Sequence, residues 1–118
     1  MTNLNWIELS TLEILDALVE KSFSRPVLIY KHSTSCAFSS VVRSRLEHAW
    51  SKKPLNIDSY FLNVITHRQL SNGVAEMFQV EHQSPQILII INGICVFHDS
   101  HFGVNHQAIQ QAITPVNG

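Results

Sequence analysis

The sequence has few cysteines, few charges and no long apolar run. Two of its 118 residues are cysteines, 14% are charged and the formal net charge is −1. This balance leaves no basic face for phosphate backbones or anionic lipids, so we expect no nucleic-acid partner and no membrane partner. No apolar run reaches the ~18 residues needed to cross a bilayer.

We also expect no export signal. The stretch MTNLNWIELSTLEIL lacks a basic start, an apolar segment and a small-residue cleavage site. We therefore expect a cytoplasmic protein, in which Cys36 and Cys95 are free thiols. No cysteine pair has metal-ligand spacing, so we expect no metal site and treat the close pair His98 and His101 as surface residues.

The chain does contain an orderly series of structural elements. Its hydrophobic content of 45% is enough for one core, which predicts a single domain over residues 1–118. Five short β-rich runs are predicted strands: NWIEL, PVLIY, IDSYFLNV, QILIIING and ICVFHDS. Helical patterns lie between the early strands and after the last one. The predicted fold class is α/β, with order βαβαβαββα and a mixed central sheet flanked by helices.

Local signals predict the helix starts and the turns. Ser10 is expected to cap the first helix, with Glu13 completing a capping box. Asn92-Gly93 predicts a tight hairpin between the last two strands. The first helix is expected to bury Leu12, Leu15, Leu18 and Val19, and the second Val41, Val42, Leu46, Ala49 and Trp50.

One cysteine lies where a strand gives way to a helix, in YKHSTSCAFSSVVRSRL. We predict a polar loop over residues 31–34 and a helix that begins at Cys36. Free backbone N–H groups at a helix start stabilise a thiolate and lower the pKa of its thiol. Ser39, one turn later, can donate a hydrogen bond to the sulfur but cannot form a disulfide with it. The alternative is that Cys36 is a small buried residue without a chemical role.

Three separated segments resemble one known family. YKHSTSCAFS, EHQSPQILIIING and the following DSH are similar to the small monothiol bacilliredoxins, thioredoxin-like proteins linked to the thiol bacillithiol. The resemblance implies a thioredoxin-like fold in which Ser84 and Pro85 form a cis-proline loop against Cys36. The family's typical motif has proline after the cysteine, and this chain has Ala37 instead.

The resemblance also implies a reaction. Cys36 would attack the disulfide between a low-molecular-weight thiol, bacillithiol or a similar one, and a client protein. The client would leave as a thiol, and Cys36 would keep the small thiol as a mixed disulfide. Ser39 cannot resolve that intermediate, so a second small thiol or a reductase must do so. The expected partners are S-thiolated client proteins, with the small thiol as co-substrate and no bound cofactor.

Residues around Cys36 are candidates for contacts to the substrate. In thioredoxin-like proteins the residue before the cis-proline pairs with the bound thiol peptide as an added strand, which here implies Ser84 next to Pro85. Lys31 and His32 are expected to face the carboxylates of the small thiol. The remaining substrate-binding candidates are Thr34, Ser35 and Ala37.

Other interpretations stay open at this point. A peroxiredoxin-like peroxidase also uses a cysteine at a helix start, and Thr34 precedes Cys36 by two residues, although no arginine is obviously placed. A thioredoxin-like binding module without enzymatic activity is a second alternative. Cys95, between Ile94 and Val96, is expected to be a core or half-buried residue of a strand, with a role as redox partner of Cys36 as the alternative.

Overall fold

The computed structural model describes residues 4–114, in which a five-stranded sheet carries helices on both faces. Residues 1–3 and 115–118 of the predicted domain lie outside the described part. The elements are β1 (Trp6–Glu8), α1 (Leu12–Lys21), β2 (Val27–His32), α2 (Ala37–Lys52), β3 (Asp58–Asn63), α3 (Arg68–Phe78), β4 (Gln86–Ile91), β5 (Ile94–Ser100) and α4 (His106–Ile113), with a short 3-10 helix (His101–Gly103) before α4. The predicted α/β class and the order βαβαβαββα are confirmed.

β2 lies at the centre of the sheet, whose strand order is β1-β3-β2-β4-β5. It pairs in parallel with β3 and antiparallel with β4, and all six of its residues are buried. Because β4 runs antiparallel to β2, the end of β2 and the start of β4 lie at the same edge of the sheet. Lys31 is in register with Gln86, which places the segment after β2 next to Pro85.

The two faces of the sheet carry separate halves of the core. Alternate residues of β2 point to opposite faces, so Ile29 packs with α1 and α3 while Tyr30 packs with α2 and α4. On the first face the buried helix residues are Leu15, Leu18, Val74 and Phe78. On the second they are Val42, Leu46, Trp50 and Ile109.

Three details of the helix predictions are wrong. α1 is capped by Thr11, whose hydroxyl accepts a hydrogen bond from the N–H of Ile14 at 3.2 Å, and not by Ser10. Leu12 is 62% exposed, because it lines an open depression between the N-terminal ends of α1 and α3. Val41 is 45% exposed. Successive residues of a helix are rotated by about 100°, so when α2 buries Val42 against the sheet, Val41 points away from the core.

The predicted hairpin between β4 and β5 turns at two residues with positive φ, Asn92 at 54° and Gly93 at 76°. Such a pair is typical of a type I′ turn, which matches the twist of the flanking strands. The N–H groups of both residues donate to Ser22, at the end of α1, at 2.9 Å each. The hairpin is thereby attached to the first helix.

Two glycines allow a matched test of this geometry. A Cβ at Gly93 would lie 3.1 Å from the ring of Phe23 at a φ of +76°, so Gly93→Ala should lower the free energy of unfolding by about 1 kcal/mol. A Cβ at Gly73, inside α3, meets no atom within 4 Å, so Gly73→Ala should raise it by up to about 1 kcal/mol. Urea denaturation measures both changes, and shifts of the same sign would contradict the described turn.

Candidate active site

Cys36 is the N-cap residue of α2, directly after the turn that follows β2. Its N–H donates to the carbonyl of Ser33 at 3.2 Å, which closes that turn. The cysteine is half-buried, whereas Thr34, Ser35 and Ala37 are exposed around it. The sulfur is therefore accessible from solvent, and three of the predicted substrate-binding residues flank it in the chain.

The environment of Cys36 favours its thiolate. The backbone N–H of Ser39 lowers the pKa of the Cys36 thiol below its ordinary value, and the N–H of Phe38 and the Ser39 hydroxyl act in the same direction. Partial burial opposes them but does not reverse the shift. These donors belong to the first turn of α2, at the positive end of the helix dipole, and the N–H of Ser39 also donates to the carbonyl of Cys36 at 3.1 Å. The direction agrees with the activation expected at the helix start.

Ser39 is held in place by two hydrogen bonds. It is fully buried, and its hydroxyl lies 3.4 Å from the N–H of Ser33, which donates to it. Its carbonyl accepts a hydrogen bond from the hydroxyl of Tyr30 at 3.0 Å. Ser39 thus connects the turn before Cys36 with the central strand, and it supplies donors to the thiolate without supplying a second sulfur.

His32 lies beneath this turn and does not face solvent. It is the last residue of β2, only 4% exposed, with its Nδ1 3.2 Å from the hydroxyl oxygen of Tyr30. Because the Tyr30 hydroxyl donates to Ser39, we assign the donor role in this second bond to Nδ1 of His32. Burial, with help from the charge of Arg43, lowers the pKa of His32, so the ring is neutral. The prediction that His32 faces the carboxylates of a small thiol is therefore wrong for this structure.

Lys31 is also buried, on the opposite face of the sheet. It belongs to β2 and pairs in register with Leu62 and Gln86, so the predicted polar loop does not include it. Its amine lies 3.3 Å from the carbonyl of Ser71 and 3.3 Å from Nδ1 of His82, and burial lowers its pKa to about 8. A fully buried amine directed at α3 offers no contact to a thiol bound at Cys36, so that prediction is wrong as well.

The arginine nearest to Cys36 in the sequence is already engaged. Nε of Arg43 lies 3.1 Å from the carboxylate of Glu47, and its guanidinium lies 4.7 Å above the ring of Phe61. Glu47 also accepts a hydrogen bond from the indole of Trp6 at 2.8 Å. These contacts tie α2 to β1 and β3 and position the helix that carries Cys36.

The Ser84–Pro85 segment borders the site from the start of β4. Its peptide bond is cis, Pro85 is buried and Ser84 is half-buried. The carbonyl of Pro85 accepts a hydrogen bond from the N–H of His101 at 3.0 Å. Through this bond the 3-10 helix (His101–Gly103) is fastened to the proline segment.

An aromatic rim, formed by Phe38, His101 and Phe102, was missed by the sequence analysis. The ring of Phe38 lies 4.8 Å from that of Phe102, edge to face, and 6.3 Å from the stacked ring of His101. Phe102 is 75% exposed. His101 is exposed as predicted, but it is in contact with the site. The only sign of His101 in the sequence was the DSH segment of the family resemblance. A 3-10 helix of three residues is too short to produce a periodic pattern of apolar residues.

Cys95 lies far from Cys36. It pairs with Ile90 in β4, and Ile90 pairs with Val27 at the beginning of β2. Cys36 follows the other end of β2, and five steps along a six-residue strand span roughly 16 Å. A disulfide needs Cα atoms within about 7 Å of each other. Cys95 is half-buried against the α1 and α3 side of the core, as expected, and burial raises its pKa.

The described residues contain neither a cluster of metal ligands nor a helix that could span a membrane. Within residues 4–114, no three side chains among His, Cys, Asp and Glu are grouped so that they could hold a metal ion. Over the same range, every helix is too short or too polar to cross a membrane.

Comparison with known proteins assigns the chain to a family. The model of the family described as monothiol bacilliredoxin BrxC matches residues 7–109. The chain belongs to the monothiol bacilliredoxin family. The resemblance found in the sequence is thus confirmed, and family and fold together support a thiol oxidoreductase. Membership in this family implies, in general terms, a low-molecular-weight thiol and thiolated clients as partners.

Solved structures similar to this bacilliredoxin have the thioredoxin fold. One, described as a candidate oxidoreductase with that fold, is 28% identical with a TM-score of 0.78, over 90% of this chain and 91% of its own. Fasciola hepatica thioredoxin is 16% identical with a TM-score of 0.68, over 90% and 94% of the two chains. Schistosoma mansoni thioredoxin is 16% identical with a TM-score of 0.71, over 92% and 93%.

The pKa shifts predict very different reactivities for the two thiols. The alkylation rate of Cys36 should rise with pH and level off at a lower pH than that of an unstructured cysteine peptide, because only the thiolate reacts. Cys95 should react slowly and level off at a higher pH. Iodoacetamide kinetics on Cys95→Ser and Cys36→Ser measure the two separately. Equal profiles would contradict the described electrostatics.

The backbone at Ala37 is compatible with the proline of the family motif. Ala37 is the first residue of α2, and Cys36 before it has the extended φ and ψ of −117° and 111° that precede proline. The N–H groups that lower the pKa of Cys36 belong to Phe38 and Ser39, so Ala37→Pro removes neither. We expect a free energy of unfolding higher by about 0.5 kcal/mol in urea denaturation. The pH profile of alkylation should not change, and a shifted midpoint would show that the Ala37 N–H also stabilises the thiolate.

Proposed function

We propose that Cys36 removes a low-molecular-weight thiol, bacillithiol or a similar one, from mixed disulfides of client proteins. The Cys36 thiolate attacks the sulfur of the small thiol, and the client leaves as a thiolate that takes up a proton. The small thiol then remains bound to Cys36 through a new disulfide. A second small thiol, as thiolate, attacks the bound one, which releases a symmetrical disulfide and regenerates the Cys36 thiolate.

The observation that carries this proposal is the environment of a single accessible sulfur. Ser39 stands one turn after Cys36, is fully buried and contributes donors to the thiolate, yet it has no sulfur of its own. Cys95 lies at the other end of the sheet. The protein therefore has a nucleophile but no internal thiol that could resolve a mixed disulfide, so the resolving thiol must come from outside.

The rest of the site supports binding of a small polar thiol. Thr34 and Ser35 are exposed and offer hydroxyl groups beside the sulfur. Half-buried Ser84, before the cis-proline, is our candidate for backbone pairing with an amide of the bound thiol. The exposed ring of Phe102 gives the aromatic rim an apolar surface on which part of a ligand or client can pack.

Intact-mass analysis tests the proposal. The reduced protein is incubated separately with oxidised bacillithiol, oxidised glutathione and oxidised coenzyme A. We expect one adduct, on Cys36, in the unmodified protein and in Cys95→Ser, and no adduct in Cys36→Ser. The mass of the adduct identifies the preferred thiol. A failure of all three disulfides to react with Cys36 would overturn the proposal.

A second variant tests why the adduct persists. Ser39→Cys places a sulfur where the donors to the thiolate now lie, so it should expel the bound thiol and form an internal disulfide with Cys36. Its mass should fall by two hydrogens and carry no adduct. Ser39→Ala, the matched control, should keep the adduct. Persistence of the adduct in both variants would show that position 39 cannot reach the bound thiol.

A further inference from the structure

A buried polar cluster lies under the proline segment, on the face of the sheet opposite to α2. It consists of Lys31 in β2, Ser71 in α3, His82 in the loop of residues 79–85, and Gln86 at the start of β4. The Lys31 amine is 3.3 Å from the Ser71 carbonyl and 3.3 Å from Nδ1 of His82, and the Ser71 hydroxyl is 3.2 Å from the same Nδ1. Lys31 and Ser71 are fully buried and Gln86 is 2% exposed. We call this set the Lys31 cluster.

Fold stability alone does not explain the lysine in this cluster. Among the described residues, no carboxylate lies within salt-bridge distance of its amine. Transfer of an unpaired ammonium into the interior is costly, and an apolar residue of similar size is often at least as stable at such a position. A buried charge held only by a carbonyl and an imidazole is therefore a candidate for a functional role.

The hydrogen-bond roles in the cluster follow from the chemistry of its members. An ammonium group can only donate, so Nδ1 of His82 accepts and its ring is neutral, with the proton on Nε2. Burial lowers the pKa of His82, and the charges of Lys31 and Arg68 lower it further, which keeps the ring in this form. Lys31 thus fixes the orientation of the His82 ring.

Three consecutive residues of the loop before the cis-proline are anchored, Val80 by the backbone of α3 and the next two by the Lys31 cluster. The N–H of Val80 donates to the carbonyl of Ala75 in α3 at 3.0 Å. The carbonyl of Glu81 accepts from the Gln86 side chain at 2.9 Å, while Oε1 of Gln86 is buried without a partner among the described residues. His82 is held by Lys31 and Ser71. Ser84 follows His82 by two residues, so its backbone direction depends on these anchors.

We propose that Lys31 is a positioning residue that acts through His82 to hold the Ser84 backbone in the orientation that pairs with an amide of the bound small thiol. The inference rests on the proposed function, because it assigns the recognition step at the same site. Lys31 does not act on the sulfur, since the groups that stabilise the thiolate are the N–H groups of Ser39 and Phe38 in α2. Recognition and reactivity are therefore separable by mutation.

The test compares two disulfides in Lys31→Met. Oxidised glutathione, or oxidised bacillithiol if the intact-mass experiment selects it, carries amide groups that can pair with Ser84. Bis(2-hydroxyethyl) disulfide carries none. We expect the variant to react roughly tenfold more slowly with the amide-bearing disulfide, the effect of about one hydrogen bond, and within twofold of the unmodified protein with the other. Its urea midpoint should be equal or higher, because a buried charge has been removed.

Variants of His82 supply the rescue control. His82→Leu removes the acceptor for Lys31 and should show the same selective tenfold loss. His82→Asn retains an acceptor near the position of Nδ1, so it should react within twofold of the unmodified protein with both disulfides. Amide hydrogen exchange across residues 80–84 should be faster in Lys31→Met and in His82→Leu, but not in His82→Asn.

Each result decides the matter. Equal losses with both disulfides would overturn the proposal, because Lys31 would then act on Cys36 or on the fold as a whole. Unchanged rates with both disulfides would overturn it too. If the unmodified protein reacts with no amide-bearing disulfide, the proposed function fails on its own. In that case amide hydrogen exchange across residues 80–84 tests the positioning role independently. Unchanged exchange in Lys31→Met would overturn that role.

Discussion

The antiparallel pairing of β2 with β4 is the contact on which the rest of this site depends. It places Lys31 opposite Gln86, so that the turn leading to Cys36 and the segment Ser84–Pro85 meet at one edge of the sheet. β3 and β5 pair with the outer sides of these two strands, and helices cover both faces of the sheet. A shift of one residue in the register of β2 would turn each of its side chains to the other face of the sheet. Lys31 and Ile29 would then lie against α2 instead of α3.

At this edge the side chains on the two faces of β2 contact different parts of the site. On one face, the hydroxyl of Tyr30 donates to the carbonyl of Ser39 and is itself hydrogen-bonded to His32, and Ser39 lowers the pKa of the Cys36 thiol. On the other face, Lys31 reaches α3 and the loop before the proline. The alternation of side chains along a strand thus divides one short segment into a part under the helix start at Cys36 and a part directed at the loop of residues 79–85. Three consecutive residues of β2 carry out this division.

The chemistry of the site is defined as much by the serine as by the cysteine. Ser39 stabilises a thiolate through its N–H and its hydroxyl, but it cannot form the internal disulfide that a second cysteine would allow. With Cys95 at the far end of the sheet, Cys36 has no second cysteine within disulfide distance. This arrangement is consistent with membership in a family described as monothiol.

Local sequence determined what depends on neighbours along the chain: the order of the elements, the hairpin at Asn92-Gly93, and a cysteine followed by a serine at the start of α2. These features follow from side-chain periodicity and backbone preferences, which short segments already contain. The tertiary structure alone decided where Lys31, His32 and His101 lie. Their polar side chains suggested loops and surface, but pairing between distant strands buried the first two, and a 3-10 helix brought the third against Phe38 and Pro85. Burial of a polar residue depends on partners that are remote in sequence, so no local pattern could reveal it.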